Sequence, residues 1–225
     1  MINIAIDGPS GAGKSVLAKN LARELGFAYV DTGALYRAVG YYIYERGIDA
    51  DDSAAVAAAL DSVDIKLEYE GGTQLVLLNG ADVSDKIRLP AISTYASKVS
   101  AIPQVRTMLL GIQRDAARDN NTVMDGRDIG TVILPGAAVK IFLSASLDNR
   151  AARRFEELTS KGIITTYEEV LFDMKQRDER DATRAESPCV PAADAVMLDN
   201  SGFMPEETLS AALAIIRDKI GDKNP

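Results

Sequence analysis

The chain opens on a short apolar run, Ile2 to Ile6, that stops at Gly8-Pro9-Ser10-Gly11-Ala12-Gly13. Beyond Lys14 the apolar positions change period. Leu17, Ala18, Leu21, Ala22 and Leu25 recur on one face at helical spacing, and Gly26 ends the run. Ala28 to Val30 predicts a second strand, and about Ala34 to Arg46 a second helix closed by Gly47. Asp52-Ser53 caps a short Ala-rich helix ending near Leu60. Ile65, Leu67 and Tyr69 then alternate with Lys66, Glu68 and Glu70. Gly71-Gly72 turns the chain and Gln74 to Leu78 returns it, which predicts a β-hairpin with one polar face. The other strands are apolar throughout, as in a sheet buried on both faces, so the hairpin reads as an antiparallel appendage.

Pro90 to Val99 and Pro103 to Arg118 predict two helices, the second with Val105, Leu109 and Ile112 inward. Thr122 to Met124, ending in Asp125, and Val139 to Leu143 predict strands. Helices follow at Leu147 to Lys161 and Tyr167 to Ala185, the latter opened by a capping box of Thr166 and Glu169. Ala195 to Leu198 is a last strand and Pro205 to Ile220 a last helix. Strands alternating with helices predict an α/β fold of three layers, a parallel sheet with helices on both faces.

The glycine-rich break after the first strand carries the clearest chemistry. Gly8-Pro9-Ser10-Gly11-Ala12-Gly13-Lys14-Ser15 is a full G-x-x-x-x-G-K-[ST] phosphate loop between a strand and a helix. Its glycines let backbone N–H groups turn toward phosphate oxygens, and the helix N-terminus adds its positive dipole end. Lys14 would reach the β- and γ-phosphates and the Ser15 hydroxyl would face Mg2+. Asp125, at the end of a later strand, suits the metal directly or through water. A nucleoside triphosphate is therefore the expected ligand.

Arginines then cluster at positions suited to a second anion. Arg37 stands one turn into the helix after Asp31-Thr32-Gly33-Ala34-Leu35-Tyr36. Arg127 lies in Asp125-Gly126-Arg127-Asp128 at a strand's carboxyl end, where ligands of such sheets bind. Arg177, Arg180, Asp181 and Arg184 share one helix face, although taken alone a charged run is more often a solvated one. Arg150, Arg153 and Arg154 open the helix after Leu143, as arginines of a closing lid or as exposed helix charges. Phosphoryl transfer relies on positioning and cationic stabilisation, so several arginines serve one purpose.

Composition removes alternatives. With no histidine, imidazole triads and His-ligated metals are excluded, and the lone Cys189 excludes disulfide frameworks and Cys-rich metal sites. Cys189 itself reads as a small buried filler. An Asn-Lys-x-Asp element for guanine is absent; the nearest letters are the tail Asp222-Lys223-Asn224-Pro225. The net charge is −8, which argues against a nucleic-acid partner. Residues 45–85 hold ten acids and two bases, so the whole excess lies there and the remainder is neutral. The absence of a membrane-length apolar run and of a leader pattern predicts no membrane partner and a cytoplasmic protein.

The segments Gly8 to Lys14, Asp31-Thr32-Gly33-Ala34-Leu35-Tyr36-Arg37, Asp125-Gly126-Arg127-Asp128-Ile129-Gly130-Thr131, Arg177-Asp178-Glu179-Arg180-Asp181 and Pro191-Ala192-Ala193-Asp194-Ala195 together resemble the bacterial cytidylate kinases. That resemblance implies the phosphate-loop nucleoside triphosphate hydrolase fold, with a core at about 1–31, 104–147 and 186–225. It adds an acceptor-binding lobe at about 32–103 and a short helical lid at about 148–166. The activity implied is transfer of the γ-phosphoryl group of ATP to CMP or dCMP, with Mg2+, by a monomer. Gly8, Pro9, Ser10, Gly11, Ala12, Gly13, Lys14, Ser15 and Val16 would bind ATP, with Lys14, Asp125, Arg127, Arg153 and Arg154 catalytic. The acceptor would be held by Thr32, Arg37, Ser97, Arg106, Arg127, Asp128, Arg177, Asp181 and Arg184. Of these, Arg37, Arg127 and Arg184 resemble phosphate ligands and Arg177 with Asp181 the sugar pair, while Ser97, Arg106 and Asp128 match base-reading positions. Thr32 stands where many relatives have Ser. Val16 removes a second hydroxyl near the donor phosphates. Other small-molecule phosphate-loop kinases, or a regulatory protein that hydrolyses ATP without an acceptor, are the competing readings.

Overall fold

The alternation of apolar strands and amphipathic helices folds as an α/β protein. The computed structural model describes residues 1–221; the tail compared above with a guanine-reading element lies outside them. The chain begins with β1 (Asn3–Asp7), α1 (Lys14–Leu25), β2 (Ala28–Asp31), α2 (Thr32–Glu45) and α3 (Ser53–Ala59). The lobe continues with β3 (Ile65–Glu70), β4 (Thr73–Leu78), β5 (Ala81–Asp82), α4 (Pro90–Val99) and α5 (Pro103–Arg118). The remainder is β6 (Thr122–Asp125), β7 (Val139–Ser144), α6 (Leu147–Ser160), α7 (Tyr167–Thr183), β8 (Val196–Asp199) and α8 (Pro205–Ile220).

Two compact units result, one of residues 28–122 with Met1, the other of Ile2–Phe27 with Val123 onward. In the second unit the strands run in the order β6-β1-β7-β8. β7 pairs in parallel with both β1 and β8. Ile4, Ala5, Ile6, Val123, Met124 and Leu143 have no exposed surface, which is why these strands read as unbroken apolar runs. The helices α1 and α8 pack together and against the strands.

The first unit has its own core. Leu35, Val39 and Ile43 of α2 recur every four residues and are fully buried, facing Val105 and Leu109 of α5 and Val76 of the hairpin. Gly40 is what lets α2 and α4 meet: a Cβ there would lie 2.9 Å from the Ala96 nitrogen. β3 and β4 form the expected antiparallel hairpin, with Tyr69 opposite Gln74. A third strand, β5, extends it; two residues are too few to register as an alternation.

Local differences from the sequence reading have identifiable causes. α2 starts at Thr32 because the Asp31 carboxylate accepts the Ala34 N–H and caps the helix. The segment after Asp128 forms one π-helical turn, Ile129–Ile133, where no element was expected. Its first two N–H groups are taken by Asp7 rather than by a helix ladder. Among the described residues no helix is long and apolar enough to cross a membrane.

Candidate active site

The phosphate loop turns on glycines in conformations that other residues avoid. Gly8 has φ +143°, and a Cβ there would sit 2.0 Å from the Leu143 carbonyl oxygen. Lys14 begins α1, is buried, and donates from Nζ to the Pro9 carbonyl at 2.7 Å. Burial, aided by Arg127, lowers its ammonium to about 7, against the opposing pull of Asp125. The Ser15 hydroxyl donates to the Asp125 carboxylate at 2.8 Å. Residues 110 positions apart thus meet as an oxygen pair at the start of α1. Two oxygen donors beside a phosphate cradle fit Mg2+, which binds through a few protein oxygens, water and phosphate.

Asp125 and Arg127 sit at the carboxyl end of β6. The Arg127 Nε donates to Asp181 at 2.9 Å and an Nη to the Gly126 carbonyl at 3.3 Å. Burial alone would lower the Arg127 guanidinium, but the Asp181 carboxylate holds it above its ordinary value. For Asp181, burial pushes upward and is outweighed by Arg127, Arg177 and Arg184, so its carboxyl stays low. Arg184 closes on Asp128 at 3.5 Å, both side chains being almost wholly buried. The second unit therefore gathers Lys14, Ser15, Asp125, Arg127, Asp128, Asp181 and Arg184 in one charged cluster, with Arg177 near enough to act on Lys14 and Asp181.

The first unit places the other expected acceptor residues on α2, α4 and α5. Thr32 and Ser97 are buried. Arg37 is held by the Asp31 carboxylate at 2.7 Å. Arg106 lies over the Tyr36 ring at 5.5 Å and donates to the Ser100 carbonyl at 3.2 Å. Asp31 is itself braced: the Gln74 side chain accepts its N–H at 2.9 Å and donates to its carbonyl at 3.2 Å. The Tyr69 hydroxyl, opposite Gln74 across the hairpin, reaches the Tyr29 carbonyl at 3.4 Å.

The three arginines at the start of α6 do not behave alike. Arg154 forms a surface pair with Glu157 at 2.7 Å. Arg153 donates to the Asn200 carbonyl at 2.8 Å. Arg150 departs from the lid expectation: it is buried, because its guanidinium answers the carbonyls of Ala145 and Ser10. Three participants escaped the sequence reading. Asn200 donates from its side chain to the Ala12 carbonyl at 3.0 Å, and Asp178 accepts the Ser10 N–H at 3.1 Å. Asp7 accepts the Ile129 and Gly130 N–H groups at 2.7 and 2.8 Å, and burial still raises its carboxyl from 3.8 to about 6. Cys189, expected as a buried filler, is only half-buried; its N–H donates to the Asp181 carbonyl, and burial raises its thiol. Asn200 and Asp7 follow or end strands on the ligand edge of the sheet, which was the available signal.

Comparison with known proteins gives the family. The cytidylate kinase family model matches residues 4–218. A cytidylate kinase of Caldicellulosiruptor saccharolyticus is 46% identical over 222 residues, covering 99% of this chain and 98% of its own. One from Pasteurella multocida is 41% identical over the same length, with the same coverage. An uncharacterized protein from Eubacterium ventriosum, solved as a crystal structure, matches at TM-score 0.50 and 16% identity over 96% of this chain and 98% of its own, a likeness of fold alone. The chain belongs to the cytidylate kinase family.

Proposed function

We propose that the protein transfers the γ-phosphoryl group of ATP to CMP and dCMP, giving ADP with CDP or dCDP by direct in-line displacement. The observation that carries this reading is the meeting of Lys14, Ser15, Asp125 and Arg127 beside the Gly8–Ser15 loop. Loop N–H groups and Lys14 bind the donor phosphates, and Arg127 offsets charge that spreads over the transferred oxygens. Ser15 and Asp125 would hold Mg2+, which when bound neutralises phosphate charge.

The acceptor side follows the same chemistry. Arg37, Arg127 and Arg184 bind its phosphate, and Arg177 with Asp181 its sugar. Asp128 accepts from the cytosine N4 amino group, while Ser97 and Arg106 donate to N3 and O2. Uracil would turn O4 toward a carboxylate and leave buried polar groups unpaired, at a cost of about 10⁴-fold or more in discrimination. Arg153 and Arg154 attend the donor phosphates from α6. The protein acts as a cytoplasmic monomer; a single thiol suits that reducing compartment, and light scattering on the purified chain tests the monomer.

A coupled ADP-release assay across CMP, dCMP, UMP, AMP and GMP tests the whole. Turnover with CMP and dCMP far above UMP supports it. Equal turnover with UMP and CMP would defeat base reading, and ADP release independent of any acceptor would favour a regulatory ATPase.

A further inference from the structure

The phosphate loop is held by two side chains outside its motif, and we infer that the Arg150–Asp178 ion pair is the positioning device that sets the loop for ATP. The inference rests on the reading of residues 8–16 as the ATP cradle. Asp178 Oδ1 accepts the Ser10 N–H at 3.1 Å, and an Arg150 Nη donates to the Ser10 carbonyl at 2.9 Å. The same Arg150 nitrogen meets Asp178 Oδ2 at 2.5 Å, and its Nε is tied to the Ala145 carbonyl at 2.9 Å. Ser10 is thus gripped through both peptides that flank it, by a pair that is itself closed and mostly buried.

The geometry has a directional effect. A trans peptide points its C=O and the following N–H to opposite sides. Holding the Ser10 carbonyl on Arg150 therefore turns the Gly11 N–H away from α6. Gly11 has no room to compensate: a Cβ there would lie 2.6 Å from the Met174 side chain of α7 and 3.3 Å from that of Arg150, at φ +74°. The loop is pressed against both helices, and its orientation is set by them.

Asp178 occupies the Ser10 N–H, one of the loop donors that precede α1. The free N–H donors of a helix N-terminus belong to its first turn, here Lys14 onward with Gly13 as cap. Ser10 precedes that cap by three residues, so Asp178 takes a donor upstream of the first turn. One helical turn further along α7, Asp181 holds Arg127. The helix α7 therefore fixes the donor loop and a phosphate-stabilising arginine at once, and Asp178 is what links it to the loop.

The experiment compares Asp178→Asn, Asp178→Ala and Arg150→Met with wild type. It uses fluorescence titration with N-methylanthraniloyl-ATP, kcat and KM for ATP and CMP, and thermal melts. Asp178→Ala is expected to weaken ATP binding and raise its KM about tenfold, the equivalent of about 1.4 kcal/mol, with the KM for CMP changed less than twofold. Asp178→Asn keeps an acceptor for the Ser10 N–H and restores part of the affinity; Arg150→Met weakens ATP as Asp178→Ala does. Should Asp178→Ala fail to fold, Asp178→Asn and Arg150→Met carry the test. Unchanged ATP affinity with a lowered melting temperature makes the pair a structural brace only and overturns the inference. Tighter ATP binding in Asp178→Ala overturns it too, by making Asp178 a competitor of phosphate. A wild-type protein that binds the ATP analogue but does not phosphorylate CMP would defeat the kinase reading instead, leaving the titration arm intact.

Discussion

Replacing Asp181 with alanine removes the carboxylate that neutralises Arg127 and leaves that guanidinium buried. The Asp181 side chain is only 6% exposed and that of Arg127 18%, and their contact is 2.9 Å. Removing one partner of such a pair costs about 3–5 kcal/mol, most of it the penalty for the stranded charge. Arg127 keeps a 3.3 Å bond to the Gly126 carbonyl, which places the expected loss at the lower end, about 3 kcal/mol. For a chain of this length that is a fall of roughly 6–12 °C in melting temperature. Asp181→Asn retains an oxygen for the Arg127 Nε and should lose less.

The pH dependence follows from the sign of the shift. Despite the upward push of burial, Arg127, Arg177 and Arg184 hold the Asp181 carboxyl below its ordinary 3.8 in the folded protein. Its stabilisation is therefore complete above that value and disappears as pH falls through the lower, folded one. Urea unfolding of wild type and both variants at pH 7 and at successive values below 4 measures this directly. The gap between wild type and Asp181→Asn should close as acid is added. A cost below about 1 kcal/mol for Asp181→Ala at pH 7, the range of an exposed pair, would refute the reasoning.

Three further outcomes follow. The Asp7 carboxyl is raised to about 6 in the folded chain, so its contribution to stability is present below about pH 4 and lost as pH rises to 6; Asp7→Asn should erase that slope in urea midpoints taken across this range, and an unchanged slope would clear Asp7 of the effect. Gly8→Ala drives a Cβ into the Leu143 carbonyl at a φ that L residues avoid, and should cost more than about 4 kcal/mol, read as loss of folded protein by circular dichroism; a wild-type melt would contradict the close packing. Asp128→Ala should lower the ratio of kcat/KM for CMP over UMP by about tenfold or more, the value of a base-edge contact, and an unaltered ratio would reduce Asp128 to the partner of Arg184.

The phosphate loop was legible because its chemistry is contiguous: eight successive residues contain the turn, the cation and the hydroxyl. Strand and helix order was legible for a similar reason, since buried strands and amphipathic helices write different periods. Pairings across the chain were not. Ser15 and Asp125 were both expected at the metal and Arg127 and Asp181 both at the acceptor, but their direct contacts, across 110 and 54 residues, are joined by no local pattern. The helical-face reading of the run from Arg177 to Arg184 selected Asp181 and passed over Asp178, which lies off that stripe and reaches Ser10. Arg150, Arg153 and Arg154 are alike as letters. Their separate fates depend on which carbonyls and carboxylates tertiary packing brings near each one.

The Gln74 side chain behaves as a rung of β-ladder made from an amide, answering both the N–H and the carbonyl of Asp31. Side chains on a strand alternate between faces, so a one-residue slip in β4 would turn Gln74 to the opposite side. The turn at Gly71-Gly72 has open space around it, but both glycines hold a positive φ that L residues avoid, so it carries a backbone restriction of its own. Sequence drift and protein engineering in this hairpin are therefore limited in two ways: side chains at the tip strain the turn, while an odd insertion or deletion between Thr73 and Leu78 uncouples the lobe from the residue that caps α2 and holds Arg37.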